Sequence, residues 1–326
     1  MPGIRHSLNY TLRNLFCCLL ILFSAVACEE SSEADRSAKN TVDSSNSEKL
    51  ILVSGVTGRQ GGAVARELLS RGYRVRGLSR NPGSERAQQL ARLGIEMVKG
   101  DFNDIDSLNQ ATQGVYGVFS VQNFWEHGKQ AEIRQGSNLA DAAKQAGVSH
   151  FVYTSVANAD QNTGIPHFDS KYEIEEYIKS IQLPYTVIRP VSFMENWEYA
   201  RADIENGVIY GPLSPATRHQ HIAVKDIGRF AAEAFDNPAE WLGVSINIAG
   251  DDHTQLEIAG LFSRVTGKDV SYVQVTWDEF EAQQGEEMTI MEKWFENVGY
   301  SVDVEKLRGN YPWLTSLEQY LLENGW

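Results

Sequence analysis

Six short apolar runs recur along the chain: Leu50-Ile51-Leu52-Val53-Ser54, Arg74-Val75-Arg76-Gly77-Leu78-Ser79-Arg80, Glu96-Met97-Val98-Lys99-Gly100, Gly117-Val118-Phe119-Ser120-Val121, His150-Phe151-Val152-Tyr153-Thr154-Ser155 and Tyr185-Thr186-Val187-Ile188-Arg189. Runs this short belong to strands, and those without strict alternation suit strands buried on both faces. Between them the period changes. Ala63 to Arg71 places Val64, Leu68 and Leu69 on one helical face and ends at Gly72, and the stretches Glu132 to Ala146 and Lys171 to Ser180 are also helical in pattern. Strand and helix in alternation predict an α/β fold with a doubly wound parallel sheet, whose ligand site lies at the carboxyl ends of the strands.

The first 48 residues follow neither pattern. Residues 1–27 hold Arg5 and Arg13 but no acid, then an apolar run from Leu15 and a small-residue end at Ala25-Val26-Ala27, the layout of a secretory signal. As a helix that run rises about 20 Å, short of the ~30 Å hydrocarbon core of a bilayer. Cys28 then resembles the cysteine of a bacterial lipobox, with Ala25 where Leu is usual. The expectation is a lipid anchor on Cys28, which holds an exported protein to a bacterial membrane, at the periplasmic face of the outer membrane if the source is Gram-negative. Ordinary signal cleavage, or a cytoplasmic protein if export fails, are the alternatives. Residues 28–48 are rich in Ser, Glu, Asp and Asn without an aromatic, and are expected to be a flexible tether.

Composition narrows the partners. With 29 Lys+Arg against 43 Asp+Glu the formal net charge is −14, so nucleic acid is not an expected partner. All three cysteines, Cys17, Cys18 and Cys28, precede the folded part, which excludes a disulfide scaffold and a cysteine zinc site. His219 and His221 share one side of an extended segment, but no nearby acid completes a ligand set, so a surface or loop role and no metal are expected.

The chemistry concentrates after the first strand. Gly55-Val56-Thr57-Gly58-Arg59-Gln60-Gly61-Gly62 sits between a strand and a helix, the context that gives a glycine pattern its meaning. Gly55, Gly58 and Gly61 let backbone N–H groups approach a pyrophosphate at a helix N-terminus, with Thr57, Arg59 and Gln60 beside them. Where a site for NAD(H) places an acid at the end of the second strand, this chain has Ser79-Arg80. Arg80, with Arg59, would pair with a 2′-phosphate, so NADP(H) is favoured over NAD(H). The alternative for each arginine is a solvated surface charge. Asp101 and Phe102, after the third strand, are placed to meet adenine, or else to cap a helix and fill the core.

Taken with Arg80-Asn81-Pro82, Lys99-Gly100-Asp101-Phe102, Val118-Phe119-Ser120-Val121-Gln122-Asn123-Phe124-Trp125-Glu126, Asp169-Ser170-Lys171, Ile188-Arg189-Pro190, Phe193-Met194-Glu195-Asn196 and Val224-Lys225-Asp226-Ile227, the chain resembles the NmrA-like family of atypical short-chain dehydrogenases from about Lys49 to Trp326. The resemblance implies a Rossmann nucleotide-binding domain over 49–190, with Ser120 and Val121 beside the cofactor. A smaller C-terminal α/β substrate domain would occupy most of 191–326, with 221–250 returning to the first. It also implies one of two roles: reduction of a small quinone or carbonyl compound, or a non-catalytic redox sensor acting through a protein partner. Ordinary short-chain dehydrogenases use Tyr-x-x-x-Lys. Four residues before Lys171 stands His167, so Lys171 is left to hold the nicotinamide ribose, with Tyr153, Ser155 or His167 as proton donors. Against those roles, Lys171 fits an i, i+4 pair with Glu175, and His167 fits a loop after Pro166.

Overall fold

A computed structural model describes residues 46–326. The secretory signal, Cys28 and most of the expected tether lie outside the described residues. The packed chain starts three residues inside that tether: Asn46–Glu48 form a 3-10 turn, and buried Asn46 donates to the Arg71 carbonyl and to Asp236. Two partners within the fold hold it in place.

The parallel sheet is present and has seven strands in the order β10-β6-β5-β4-β1-β2-β3. Its strands are β1 (Leu50–Val53), β2 (Arg74–Ser79), β3 (Glu96–Lys99), β4 (Gly117–Ser120), β5 (His150–Thr154), β6 (Tyr185–Pro190) and β10 (Ser245–Ile248). Every neighbouring pair is parallel. The direction of winding reverses between β1 and β4, which opens a crevice at their carboxyl ends.

Alternation along each strand feeds two cores. Ile51, Val53, Phe119 and Val152 enter the layer shared with helices α1 (Arg59–Ser70) and α7 (Val224–Asp236). Leu50, Leu52, Val118, Phe151 and Tyr153 enter the opposite layer with α3 (Ile105–Ala111), α4 (Phe124–Ala146) and α5 (Pro166–Ser180). Strands covered on both faces explain why their sequences read as apolar runs rather than alternating ones. Helix α2 (Glu85–Arg92) flanks β3, capped by the Ser84 hydroxyl.

The remaining segments build a smaller lobe around Met194, Ile209, Phe262 and Leu321. It includes α6 (Arg201–Glu205), α9 (Gln255–Thr266), a three-stranded sheet of β7 (Ser192–Phe193), β9 (Arg218–Ile222) and β11 (Asp251–Thr254), and the pair β8 (Val208–Gly211) and β12 (Ser271–Gln274). Short α8 (Pro238–Trp241) leads into β10, so the chain between β9 and β11 returns to the main sheet. Helices α10 (Trp277–Gln284) and α11 (Glu286–Asn297) meet at Gly285, and α12 (Val304–Asn310) and α13 (Leu317–Glu323) close the chain. Among the described residues no helix is long and apolar enough to cross a membrane.

Candidate functional site

The crevice at the sheet's switch point is a cleft of about 490 Å³, lined by the glycine turn, the ends of β2 and β3 and the segment after β4. Its floor is fixed by Ser54, whose hydroxyl accepts from the Val121 N–H at 2.9 Å. Gly55 takes φ +57°, and a Cβ there would lie 2.6 Å from the Val121 side chain. Gly58 caps α1 with extended backbone and donates to the Gly55 carbonyl at 2.8 Å. Gly61 leaves no room for any side chain: a Cβ would fall 2.4 Å from the Gly55 oxygen. No side chain caps α1, and no acidic residue lies in its first turn. The bare helix end, with its N–H groups and positive dipole, is therefore free to meet an anion.

Gly55, Thr57, Gly58, Arg59, Gln60, Gly61, Arg80, Asp101, Phe102 and Val121 all line this cleft, so the structure brings together ten residues from distant parts of the chain. Ser120 does not line it; it is buried and accepts from Gln122, which does. Asp101 accepts from the Asn103 backbone and side chain, while the N-cap of α3 is Asp104. Of the two roles expected for Asp101, capping the helix itself is thus corrected. Phe102 packs half-buried on the α4 layer.

Both arginines are exposed, and each has a partner. Arg59 donates to Asn196 at 3.3 Å and lies 5.0 Å over the Tyr199 ring. Arg80 pairs with Glu126 at 2.6 Å, a partner that raises its pKa.

A second group of residues lies beyond the inner wall of the cleft. Gln60, in the lining, accepts from Thr154 at 2.8 Å, which ties the glycine turn to the end of β5, next to Ser155. Gln135, also in the lining, sits one helical turn along α4 from Glu132. The Glu132 side chain is wholly buried and binds both the Lys171 ammonium and the Ser170 hydroxyl. The expected Lys171–Glu175 pair is thus replaced, because Glu175 is taken up by Arg189 in a buried fork at 2.9 and 2.6 Å.

The loop expected at His167 is a helix: Pro166 starts α5, whose missing N–H costs nothing at that position. His167 Nδ1 lies 2.7 Å from Glu287 on α11, and its ring packs against Phe124, Trp125 and Phe168. Burial, then the nearby Lys171 charge, lower its pKa to about 3, so the imidazole is neutral at ordinary pH. Burial also raises the Glu287 carboxyl above its usual range. Tyr153 points into the α4 layer with its hydroxyl sealed and without a hydrogen-bond partner, and burial holds its pKa far above that of a free phenol. The Ser155 hydroxyl is likewise buried and unpartnered. None of Tyr153, Ser155, His167 and Lys171 is itself in the cleft lining; Lys171 is linked to it through Glu132, one turn along α4 from Gln135.

His219 and His221 depart from the expected surface or loop role. They stack at 4.7 Å on β9, and His219 bonds to Ser192 and packs on Phe295. Burial lowers the pKa of both, to about 4 for His219. Among the described residues no three His, Cys, Asp or Glu side chains are placed to hold a metal ion.

Glu126, Glu132 and Glu287 were not legible as site residues. Glu126 closes the segment after β4 with no sequence signal for a role, and Glu132 reads only as the start of a helical pattern.

The sequence profile of the NmrA-like family matches residues 47–321. An NmrA-like family domain-containing protein of Dictyostelium discoideum is 29% identical over 297 residues, which is 84% of this chain and 97% of its own. The crystal structure of Citrobacter sp. triphenylmethane reductase complexed with NADP(H) is similar at a TM-score of 0.72 and 25% identity, covering 85% of this chain and 100% of that one. An NADPH-dependent quinone oxidoreductase from Escherichia coli, complexed with NADPH, gives 0.71 and 26%, covering 83% and 98%.

Proposed function

The chain belongs to the NmrA-like family of NADP(H)-binding oxidoreductases, and from that premise we propose that it is an NADPH-dependent reductase whose hydride acceptor is a small quinone or carbonyl compound. The observation that carries this reading is the ammonium of Lys171, held by a buried carboxylate one helical turn from the cleft lining. The cradle fits the cofactor: Gly55 and Gly61 let the turn close so tightly on Val121 and on its own backbone that the uncapped N-terminus of α1 faces the cleft where a pyrophosphate would lie, and Arg80 and Arg59 supply cations in the same lining for a 2′-phosphate. NADPH supplies the hydride when bound.

The chain's own residues then have separate tasks. The glycine turn binds and orients the diphosphate, and Lys171 holds the ribose hydroxyls while its charge favours negative charge growing on an acceptor oxygen. Lys171 is also the proton source, since His167 is neutral and tied to Glu287 while Tyr153 and Ser155 are sealed. A quinone suits such a site, because its reduced oxygen is a weakly basic phenolate that needs no strong acid. The naming of the Escherichia coli relative as a quinone oxidoreductase supports the same acceptor.

The test is NADPH oxidation with a panel of benzoquinones, naphthoquinones and aldehydes. Lys171→Ala is expected to lose at least about tenfold in kcat/KM, the scale of one positioned acid or charge, with partial recovery in Lys171→Arg. Equal activity in Lys171→Ala would remove the proposed role.

One observation favours a second reading. The neutral His167 in place of a phenol fits a redox sensor that binds NADP(H) and signals through a protein partner. Tight NADPH binding with no turnover on any acceptor would select it. For location, the proposal remains a lipid anchor on Cys28, to be tested by intact mass of the full-length protein; an unmodified Cys28 would remove it.

A further inference from the structure

Arg80 directly follows β2 at the cleft mouth with its side chain 63% exposed, and its bond to Glu126 joins two segments that both line the cleft. Asp101 adds a further negative field to the same guanidinium. A dinucleotide carrying a 2′-phosphate brings a dianion to this arginine. Glu126 already occupies Nη1 at 2.6 Å and carries the same sign of charge as the incoming group. Keeping both anions on Arg80 places carboxylate and phosphate within a few ångströms of each other, where like charges repel.

Glu126 has a way out, because 38% of its side chain is exposed at the cleft mouth. It lies in the turn Phe124–His127, which Gly128 separates from the rest of α4 by a non-helical φ of +74° and ψ of −176°. Phe124 and Trp125 of this turn pack on His167, so it is the Glu126 side chain that swings out, while the turn and the Glu132 to Ala146 part of the helix, which holds Lys171, stay in place. Asn123 caps the turn independently by accepting from Trp125 N–H at 3.2 Å.

We propose that Glu126 is a displaceable counter-ion that sets the preference between phosphorylated and unphosphorylated dinucleotides: it holds Arg80 in the free protein and yields it to a 2′-phosphate. Every NADP(H) binding event then includes opening this pair, whereas NAD(H) leaves it closed. Glu126 therefore weakens NADP(H) binding and narrows a preference that Arg80 alone would make wider. The inference rests on NADP(H) binding and not on hydride transfer, so it stands or falls separately from the reductase reading.

The experiment is equilibrium titration of the full chain with NADP⁺ and with NAD⁺ by calorimetry. Exposed ion pairs are individually weak, so Glu126→Gln is expected to tighten NADP⁺ by about two- to fivefold while leaving NAD⁺ essentially unchanged. Glu126→Ala must give the same shift, which separates loss of charge from any contact made by the Gln amide. Arg80→Gln is expected to weaken NADP⁺ by about tenfold or more and leave NAD⁺ unchanged. Weaker NADP⁺ binding in Glu126→Gln would show instead that Glu126 organises Arg80 for the phosphate, and would overturn the proposal. An unchanged NADP⁺ affinity, or an equal shift for both dinucleotides, would overturn it as well.

Discussion

Replacing Gly61 by Ala isolates the geometric demand of the glycine turn. A Cβ on this residue would lie 2.4 Å from the Gly55 oxygen and 2.5 Å from the Ser54 oxygen, both backbone atoms in the stretch that leads from β1 into α1. To reach the 3.0 Å below which Cβ contacts are not found, helix and loop must part by at least about 0.6 Å. Neither side yields easily, because Ser54 is locked to Val121 on β4's extension and α1 is packed against α7. Overpacking of this kind costs about 1–3 kcal/mol, and at roughly 2–4 °C per kcal/mol for a domain of this size the melting temperature should fall by about 2–12 °C. The same displacement moves the helix N–H groups off the phosphate. Losing one hydrogen bond to a charged group is worth about 1.5–3 kcal/mol, so the Kd for NADP⁺ should rise at least about tenfold. Gly62→Ala is the control. Its Cβ would meet the far end of the Arg66 side chain at 3.1 Å and the Val56 carbonyl oxygen at 3.2 Å, contacts that need a shift of only a few tenths of an ångström, and the helix gains from alanine, so stability should change by less than about 1 kcal/mol. Thermal melts and calorimetric titration of both variants check this. If Gly61→Ala melts and binds like Gly62→Ala, the close approach at the turn is not what the site depends on.

Other outcomes follow from single side chains. Glu175→Gln leaves the buried Arg189 guanidinium short of its forked partner and should cost about 3 kcal/mol in chemical denaturation, with Asp160 retaining part of the pairing. Tyr153→Phe removes a sealed hydroxyl that has no partner, so it should hold or raise stability by about 1 kcal/mol and leave NADPH oxidation unchanged; a large loss of turnover would mean that the phenol does reach the substrate. His150 is fully buried, and burial lowers its pKa from 6.5 to about 4. As pH falls the unfolded chain takes up this proton first, so the stability it contributes is intact above about pH 6.5 and is lost towards pH 4, roughly 3 kcal/mol in all. Denaturation across that range should show the decline, and His150→Gln should flatten it. The Thr186 hydroxyl donates to the Trp241 carbonyl, so it accepts from His150 Nε2–H, which leaves Nδ1 bare in the core.

How far the sequence can be read depends on how local the cause is. Four strands, β1, β4, β5 and β6, were legible because a strand covered on both faces must be apolar almost throughout, β2 and β3 because short runs recur at the spacing of βα units, and the glycine turn because its spacing answers one steric demand. β10 was not legible: Ser245–Ile248 is an edge strand, partly exposed, and resembles many loop sequences. The start of α4 was hidden by Gly128, which breaks the period that identifies a helix. The partners of the site residues were hidden by distance along the chain. Arg80 meets Glu126 across 46 positions, Lys171 meets Glu132 across 39, and His167 meets Glu287 across 120. Nothing in the local pattern of either member indicates such a pair. His219 and His221 were misread for a related reason: polarity suggested the surface, but Ser192, Phe295 and Tyr300 enclose them from other elements.

The central claim is that this site takes NADPH and passes its hydride to a quinone. The most direct measurement is a single-turnover experiment: protein preloaded with one equivalent of NADPH is mixed rapidly, without oxygen, with excess naphthoquinone, and NADPH absorbance is followed against a protein-free mixture. The account predicts a fast phase that consumes the bound NADPH and is slowed at least about tenfold by Lys171→Ala. NADPH that stays bound and reduced, at the rate of the protein-free mixture, would contradict it.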